Sequence, residues 1–488
     1  MQIKHHIPPT IEMNDIQGIV VRGYGYMPSA YYLMLSITNV NACKSWLVQV
    51  ADQLTHGLEK PDEGCLNLAF SNYGLKILGL PEEAQNTFVR EFREGMAKDY
   101  RQRMLGDIDQ SAPANWDYGY PEQSGKDTQA SENAIHLCLM VFAADDAALD
   151  QRYQQIRASY DTHGLREVAK LEGKTLPGRK EHFGFRDGIS QPMIEGIGKQ
   201  SSEGNTCKTG EFILGYLNEY EQYPDTPLVS PQHDQKNLLP ISPLDPSKKD
   251  FGKNGTFMVF RTLEQDVKNF WDFVNEEGKK IYSDKEDPAV FLASKMVGRW
   301  PSGAPITKCP FHDNPALSDD DNFYYSKDDP DGMKCPIGSH LRRSNARDTF
   351  IKDDVKESIR VTKRNRIIRR GRPYGNPLVP DLNPQEVIQG KNDEQKRGLQ
   401  FICFNSSIAR QFELVQQSWV NDPKFLGLYD DSDPLIGHDP RGFQTNNFTI
   451  PDTPVRRRVM NIPRFVRTKG GAYFFMPGIK AIKYLASI

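Results

Sequence analysis

Three widely separated stretches hold the residue types that could do chemistry in this chain. His182–Pro192, HFGFRDGISQP, sets Arg186 beside Asp187 in a turn punctuated by Gly184 and Gly188. Its apolar neighbours Phe183, Phe185 and Ile189 point to a carboxylate held in a partly dry place. The second stretch, CPIGSHLRRSNARD, places His340 after a Cys-Pro-x-Gly turn and before Arg342, Arg343 and Arg347. One imidazole beside several cations suits a metal ligand with anionic groups nearby. The third, KRNRIIRRGRPYG, spans 363–375. An isolated basic run is most often a solvated strand edge or a nucleic-acid patch. Here Ile367 and Ile368 interrupt the cations and Gly371, Pro373 and Gly375 close the segment, so at least one arginine is expected to point inward.

Two cofactors compete for these residues. Cys309-Pro-Phe-His312 and Cys335 with His340 offer two sulfurs and two imidazoles, but the second spacing is C-x4-H, both pairs contain proline, and neither lies in a compact finger context. Zinc is therefore the weaker reading. A haem needs one proximal histidine, basic side chains for its propionates, and an acid or base opposite the open iron position. His340 and its arginines supply the first two, and Asp187 is a candidate for the third. His182, at the start of its turn, reads as a loop histidine, and His136, inside an apolar strand, as a core one.

Elements must then bring these stretches together. Four segments repeat a short apolar strand followed by an amphipathic helix. They are AYYLMLSI with Cys43, Trp46, Leu47, Val50 and Ala51; IHLCLMVFA with an Asp145 or Asp146 cap and Leu149, Tyr153 and Ile156; TFMVFRT with Leu263, Val267, Phe270, Trp271 and Val274; and LQFICFN with a Ser406 or Ser407 cap and Ile408, Phe412, Val415 and Trp419. Two such units per half predict a duplicated α+β architecture, each half an antiparallel sheet with helices on one face in the split β-α-β arrangement. The halves are placed at 1–200, carrying the Gly184–Gly188 turn, and 201–488. The Pro- and Asp-rich stretch 217–255 is read as a long loop or a linker, and long ordered loops tend to be functional or to cover a site.

With 61 basic against 64 acidic residues, the chain shows no global footprint for nucleic acid or an anionic membrane. No stretch approaches the roughly 18 apolar residues that a membrane span needs. Seven scattered cysteines without a C-x-x-C pair, and an N-terminus without an apolar leader, lead to the expectation of reduced thiols in a cytoplasmic protein, monomeric or homo-oligomeric.

The two motifs also resemble those of a known family. GFRDG matches the G-x-x-D-G signature of dye-decolourising peroxidases, and HLRRSNAR resembles their proximal-histidine segment, with Ala346 where the family usually has proline. DIQGIVVRGY, LNLAFSNYGLKILGL, GEFILGY, MVGRWPSGAPI, IIRRGRPYG and GGAYFFMPG resemble further family blocks in the family's order. The long version found in fungal and cyanobacterial members is the most similar.

That resemblance implies two ferredoxin-like domains with haem b held by the C-terminal one. It implies a peroxidase that reduces H2O2 and oxidises dyes, phenolics or other one-electron donors through a ferryl intermediate; a haem-handling protein on the same scaffold is the alternative. By the same resemblance His340 is the iron ligand, Asp187 the distal acid–base residue and Arg369 its partner. Arg347 is then a propionate contact, Leu399 and Phe401 cover the distal face, and Glu413 is the carboxylate bonded to the other nitrogen of His340. Gly184 and Gly188 would let the backbone approach the porphyrin. An aspartate with a reference pKa near ~3.9 stays unprotonated in mild acid, so an acidic pH optimum is expected.

Overall fold

In the computed structural model, residues 10–119, 134–198, 204–438 and 446–488 are described. The first half runs β1 (Ser29–Ile37), α1 (Val40–Ala51), β2 (Cys65–Phe70), β3 (Leu137–Ala143), α2 (Asp146–Asp161) and β4 (Leu165–Lys174). The second half supplies β5 (Thr256–Gln265), α3 (Val267–Ile281), β6 (Ile368–Arg369), β7 (Arg372–Tyr374), β8 (Gly398–Asn405) and β9 (Val466–Met476). Between β8 and β9, two π-helical segments, Ala409–Glu413 and Val415–Val420, stand where the fourth amphipathic helix is expected.

The strands form one sheet in the order β6-β8-β5-β9-β2-β3-β1-β4, with β7 also paired to β8. Each half thus has the antiparallel order 2-3-1-4 of a ferredoxin-like unit, and the sheets join where Phe475 of β9 pairs with Phe70 of β2. At the other end β4 comes against β7: a Cβ on Gly173 would stand 3.3 Å from that of Arg372. The boundary expected near residue 200 falls in the connection between β4 and β5, and the two halves share one core.

Strand alternation explains that core. Tyr32, Met34, Met140, Phe142, Met258, Phe260, Ile402, Phe404 and Phe474 face inward as one buried cluster. Their neighbours Leu33, Leu35, Leu139 and Val141 face outward against Trp46, Leu47 and Val50 of α1 and Leu149, Tyr153 and Ile156 of α2. Asp145 caps α2 by accepting from the Ala148 N–H at 2.8 Å, and Asn39 caps α1 by accepting from Ala42.

Stretch 217–255 differs from its sequence reading. It folds on itself through a two-residue strand pair, Leu228–Val229 with Lys249–Asp250, and packs Phe251 against Phe475 and Tyr484. None of its residues lines the cavity described next.

Candidate active site

One cavity gathers the three sequence stretches. On its sheet side lie Arg261, Leu263 and Gln265 of β5, Arg369 of β6, Leu399 and Phe401 of β8, and Val466 and Thr468 of β9. Because strand side chains alternate, the neighbouring residues on β8, Gln400 and Ile402, turn to the other face, and only one row per strand reaches the cavity. Helical segments and turns close the opposite side with His340, Leu341, Val415, Gln416, Val420, Leu435 and Ile436.

His340 opens the short helix α4 (His340–Ser344), held by the Ser339 hydroxyl donating to the Lys295 carbonyl at 2.6 Å. Its Nδ1 lies 2.8 Å from Oδ2 of Asp433. Burial disfavours a charged imidazole there, but the charge and hydrogen bond of Asp433 outweigh it and hold the His340 pKa above its usual value. Asp433 is fully buried and accepts from the Leu435 and Ile436 N–H groups at 2.9 and 3.0 Å, so its carboxylate is fixed by its own turn. With Nδ1 engaged, Nε2 is the nitrogen left for a ligand.

Glu413, the carboxylate expected at this position, is elsewhere. It is buried between Arg101, which donates to Oε1, and Tyr473, whose hydroxyl donates to Oε1 at 2.8 Å. The π-helical turn directs Glu413 toward α-helical residue Arg101 while Val415 and Val420 face the cavity, a phase that a 3.6-residue repeat does not predict. Asp433 was missed because it lies 93 residues from His340 in a run of acidic residues, and no spacing rule links them.

Across the cavity, Nη1 of Arg369 donates to Oδ1 of Asp187 at 2.9 Å and Nη2 donates to the Ile189 carbonyl at 2.9 Å. Asp187 is 37% exposed and Arg369 30%, against 0% for Asp433. Both are within electrostatic reach of His340. Gly184 and Gly188 have φ of +91° and +82°, which explains glycine at both positions. Neither lines the cavity: a side chain on Gly184 would meet the Leu382 carbonyl at 2.8 Å, while Gly188 faces open space.

The arginines are also redistributed. Arg342 and Arg343 are buried and bind backbone carbonyls, Arg342 those of Asp329 and Cys335 and Arg343 those of Gly338 and Trp419. Arg347 stands behind the cavity wall, its guanidinium taken up by Asp321 and by the Ser190 hydroxyl at 3.0 Å. Arg366 of the basic run lines the cavity instead, and among the described residues its donors meet the Ser190 carbonyl and the Asn205 amide oxygen, at 2.7 and 2.9 Å. Arg370 and Arg372 bind the carbonyls of Ile19 and Tyr24, so the basic run is largely internal.

This donor set fits a haem. An imidazole with one nitrogen fixed by a buried carboxylate, an apolar lining of Leu263, Leu399, Phe401, Val415 and Leu435, and a cation hydrogen-bonded to no carboxylate among the described residues meet the requirements of an axial ligand, a porphyrin face and a propionate. A zinc site finds no support: among the described residues no group of three or more His, Cys, Asp or Glu could hold a metal ion.

Comparison with known proteins agrees with the geometry. Residues 15–177 match the DyP dimeric alpha+beta barrel domain. A dye-decolorizing peroxidase of Exidia glandulosa is 26% identical over 97% of this chain and 87% of its own length. The multifunctional dye peroxidase DyP2 of an Amycolatopsis species is 30% identical over 62% of this chain and 61% of its own. The crystal structure of a fungal DyP-type peroxidase from Auricularia auricula-judae superposes with a TM-score of 0.76 at 25% identity, covering 98% of this chain and all of that one.

Proposed function

Since this chain belongs to the dye-decolourising peroxidase family and is a peroxidase, we propose that it reduces H2O2 at a haem b bound through Nε2 of His340, and that Asp187 moves the peroxide proton with Arg369 as its charged partner. Haem, when bound, supplies the iron at which peroxide is reduced and the oxidising equivalents later passed to the reductant. Asp433 holds the Nδ1 proton of His340 and would make the ring a stronger donor through Nε2. Arg366 is the propionate partner that the cavity offers in place of Arg347.

Asp187 takes the proton from one oxygen of the peroxide and returns it to the other, so that water leaves. Arg369 holds the Asp187 carboxylate in place through their 2.9 Å hydrogen bond and stands ready for the charge that grows as the O–O bond breaks, at no cost of reorganisation. The observation that carries this reading is the 2.9 Å Arg369–Asp187 pair in the cavity that also contains the Asp433-bonded His340. Simple carriage of haem requires no such pair. A carboxylate base works in mild acid, where a histidine base would be charged, so turnover is expected to be fastest at acidic pH.

The reductants are small or bulky aromatic donors such as phenolics and dyes. The seven cysteines are all free and six are buried, which supports a reducing, cytoplasmic setting. No helix among the described residues is long and apolar enough to cross a membrane. The test is H2O2-dependent dye turnover by the haem-loaded protein, with Asp187→Ala and Arg369→Leu beside it. Turnover unchanged in both variants, with haem still bound, would refute the assignment.

A further inference from the structure

Glu181 is a carboxylate in the cavity wall for which the reaction above has no use. It lies six residues before Asp187, and both of its oxygens are occupied. Oε1 accepts from the Phe185 N–H at 3.0 Å, and Oε2 accepts from the Phe183 N–H at 2.9 Å and from Nε2 of Gln265 at 2.6 Å. Its main chain closes the same turn, with the Glu181 N–H donating to the Phe185 carbonyl and the Gly184 N–H donating to the Glu181 carbonyl. Aromatic packing holds the turn from the other side: Phe183 lies 4.4 Å from the Phe270 ring, Phe185 stacks parallel to Trp271, and the Trp271 indole donates to the Phe183 carbonyl.

Asp187 follows Phe185 by only two residues. Its own N–H donates to the Arg179 carbonyl at 2.9 Å, and its carboxylate accepts from Gly188 and Arg369. Where that carboxylate stands is therefore set by the turn before it. We propose that Glu181 is the positioning residue for Asp187, its carboxylate tying the Phe183–Phe185 turn to Gln265 on β5 and so fixing the place of Asp187 in the cavity. The inference rests on the reading of Asp187 as the proton acceptor.

A half-buried carboxylate is a costly way to organise a turn unless both oxygens are needed. Burial, opposed by the Phe183, Gln265 and Phe185 donors, pushes Glu181 up to about 7. Oε1 of Gln265 is buried without a hydrogen-bond partner among the described residues. It offers an acceptor, after a turn of the amide, to the proton of a neutral Glu181, so the link to β5 survives in either charge state. Glutamine at 181 has nearly the same shape but only one acceptor oxygen. One of the two turn N–H groups must then lose its partner.

The test compares haem-loaded wild type, Glu181→Gln and, as a milder change, Gln265→Ala. Two readouts are taken: amide hydrogen exchange at Phe183, Phe185 and Asp187, and the bimolecular rate constant with H2O2, alongside haem content and the reductant KM. In Glu181→Gln those amides are expected to exchange at least about tenfold faster and the peroxide rate to fall about 10- to 100-fold, because a displacement of the order of 1 Å is costly at a reacting centre. Haem content and reductant KM stay unchanged, and Gln265→Ala shifts both readouts the same way by less. If Glu181→Gln does not fold, Gln265→Ala decides. Unchanged exchange overturns the proposal, as does faster exchange with a wild-type peroxide rate. Asp187→Ala is run in parallel: if it keeps the wild-type rate, the reading of Asp187 falls, and exchange alone then judges whether Glu181 holds the turn.

Discussion

The two sides of the cavity treat a carboxylate in opposite ways. On the helix side Asp433 is fully buried, bonded by two backbone N–H groups and by His340, and burial there is overcome so that its pKa stays below the usual range. On the sheet side Asp187 is more than a third exposed to the cavity and shares one bond with Arg369. The first arrangement has nothing to exchange with a substrate and can be closed on all sides. The second has to meet one, so part of its hydrogen-bonding capacity is left open. A ligand that must stay and a base that must react are thus distinguished by how completely each carboxylate is satisfied.

Breaking the helix side at its centre is expected to have the largest effect. His340→Ala should abolish haem retention, read as loss of the Soret band per unit of protein; a variant that keeps a five-coordinate haem spectrum would show that the ligand is another residue. Breaking the sheet side should leave haem in place. Asp187→Ala and Arg369→Leu are each expected to slow the reaction with H2O2 by about 10²- to 10⁴-fold, checked by stopped-flow absorbance.

The comparison sharpens at Asp433. Asp433→Asn keeps the hydrogen bond but removes the charge, and a loss of about 10- to 100-fold in activity, with a lower iron–imidazole stretching frequency, is expected. Glu413→Gln should leave that frequency untouched. It leaves buried Arg101 without its closest anion, and stability should fall by about 2–4 kcal/mol in urea unfolding. A frequency that moves in Glu413→Gln and not in Asp433→Asn would reverse the assignment.

The smallest effect is a pH dependence of stability. Glu181 rises from 4.5 to about 7 on folding, so the folded state holds its proton more tightly than the unfolded one. The stabilisation is complete below about pH 4.5 and is lost as pH rises to about 7. Relative to Glu181→Gln, the wild type should therefore lose on the order of 3 kcal/mol as pH rises from below 4.5 to above 7, measured as unfolding midpoints across that range.

Periodicity made the elements legible before their arrangement was known. Trp46, Leu47 and Val50 on one helix and Leu149, Tyr153 and Ile156 on another are buried as their spacing predicts, since a helix can hide only one stripe. Turn chemistry made Asp187 stand out, and an apolar break in the basic run foretold inward arginines. The choice among arginines was not legible: Arg342, Arg343 and Arg347 are close to His340 in sequence yet bind carbonyls or Asp321, whereas Arg366 reaches the cavity.

By itself, then, the sequence determined the α+β class, the repeated strand–helix units and the three stretches that meet in one cavity, because local spacing and turn residues carry that information. Only the tertiary structure decided that the two sheets join as one, that Asp433 and not Glu413 holds His340, and that Glu181 anchors the turn of Asp187. Those facts depend on side chains brought within 3 Å by chain segments tens to hundreds of residues apart, and on a π-helical phase that no 3.6-residue pattern encodes.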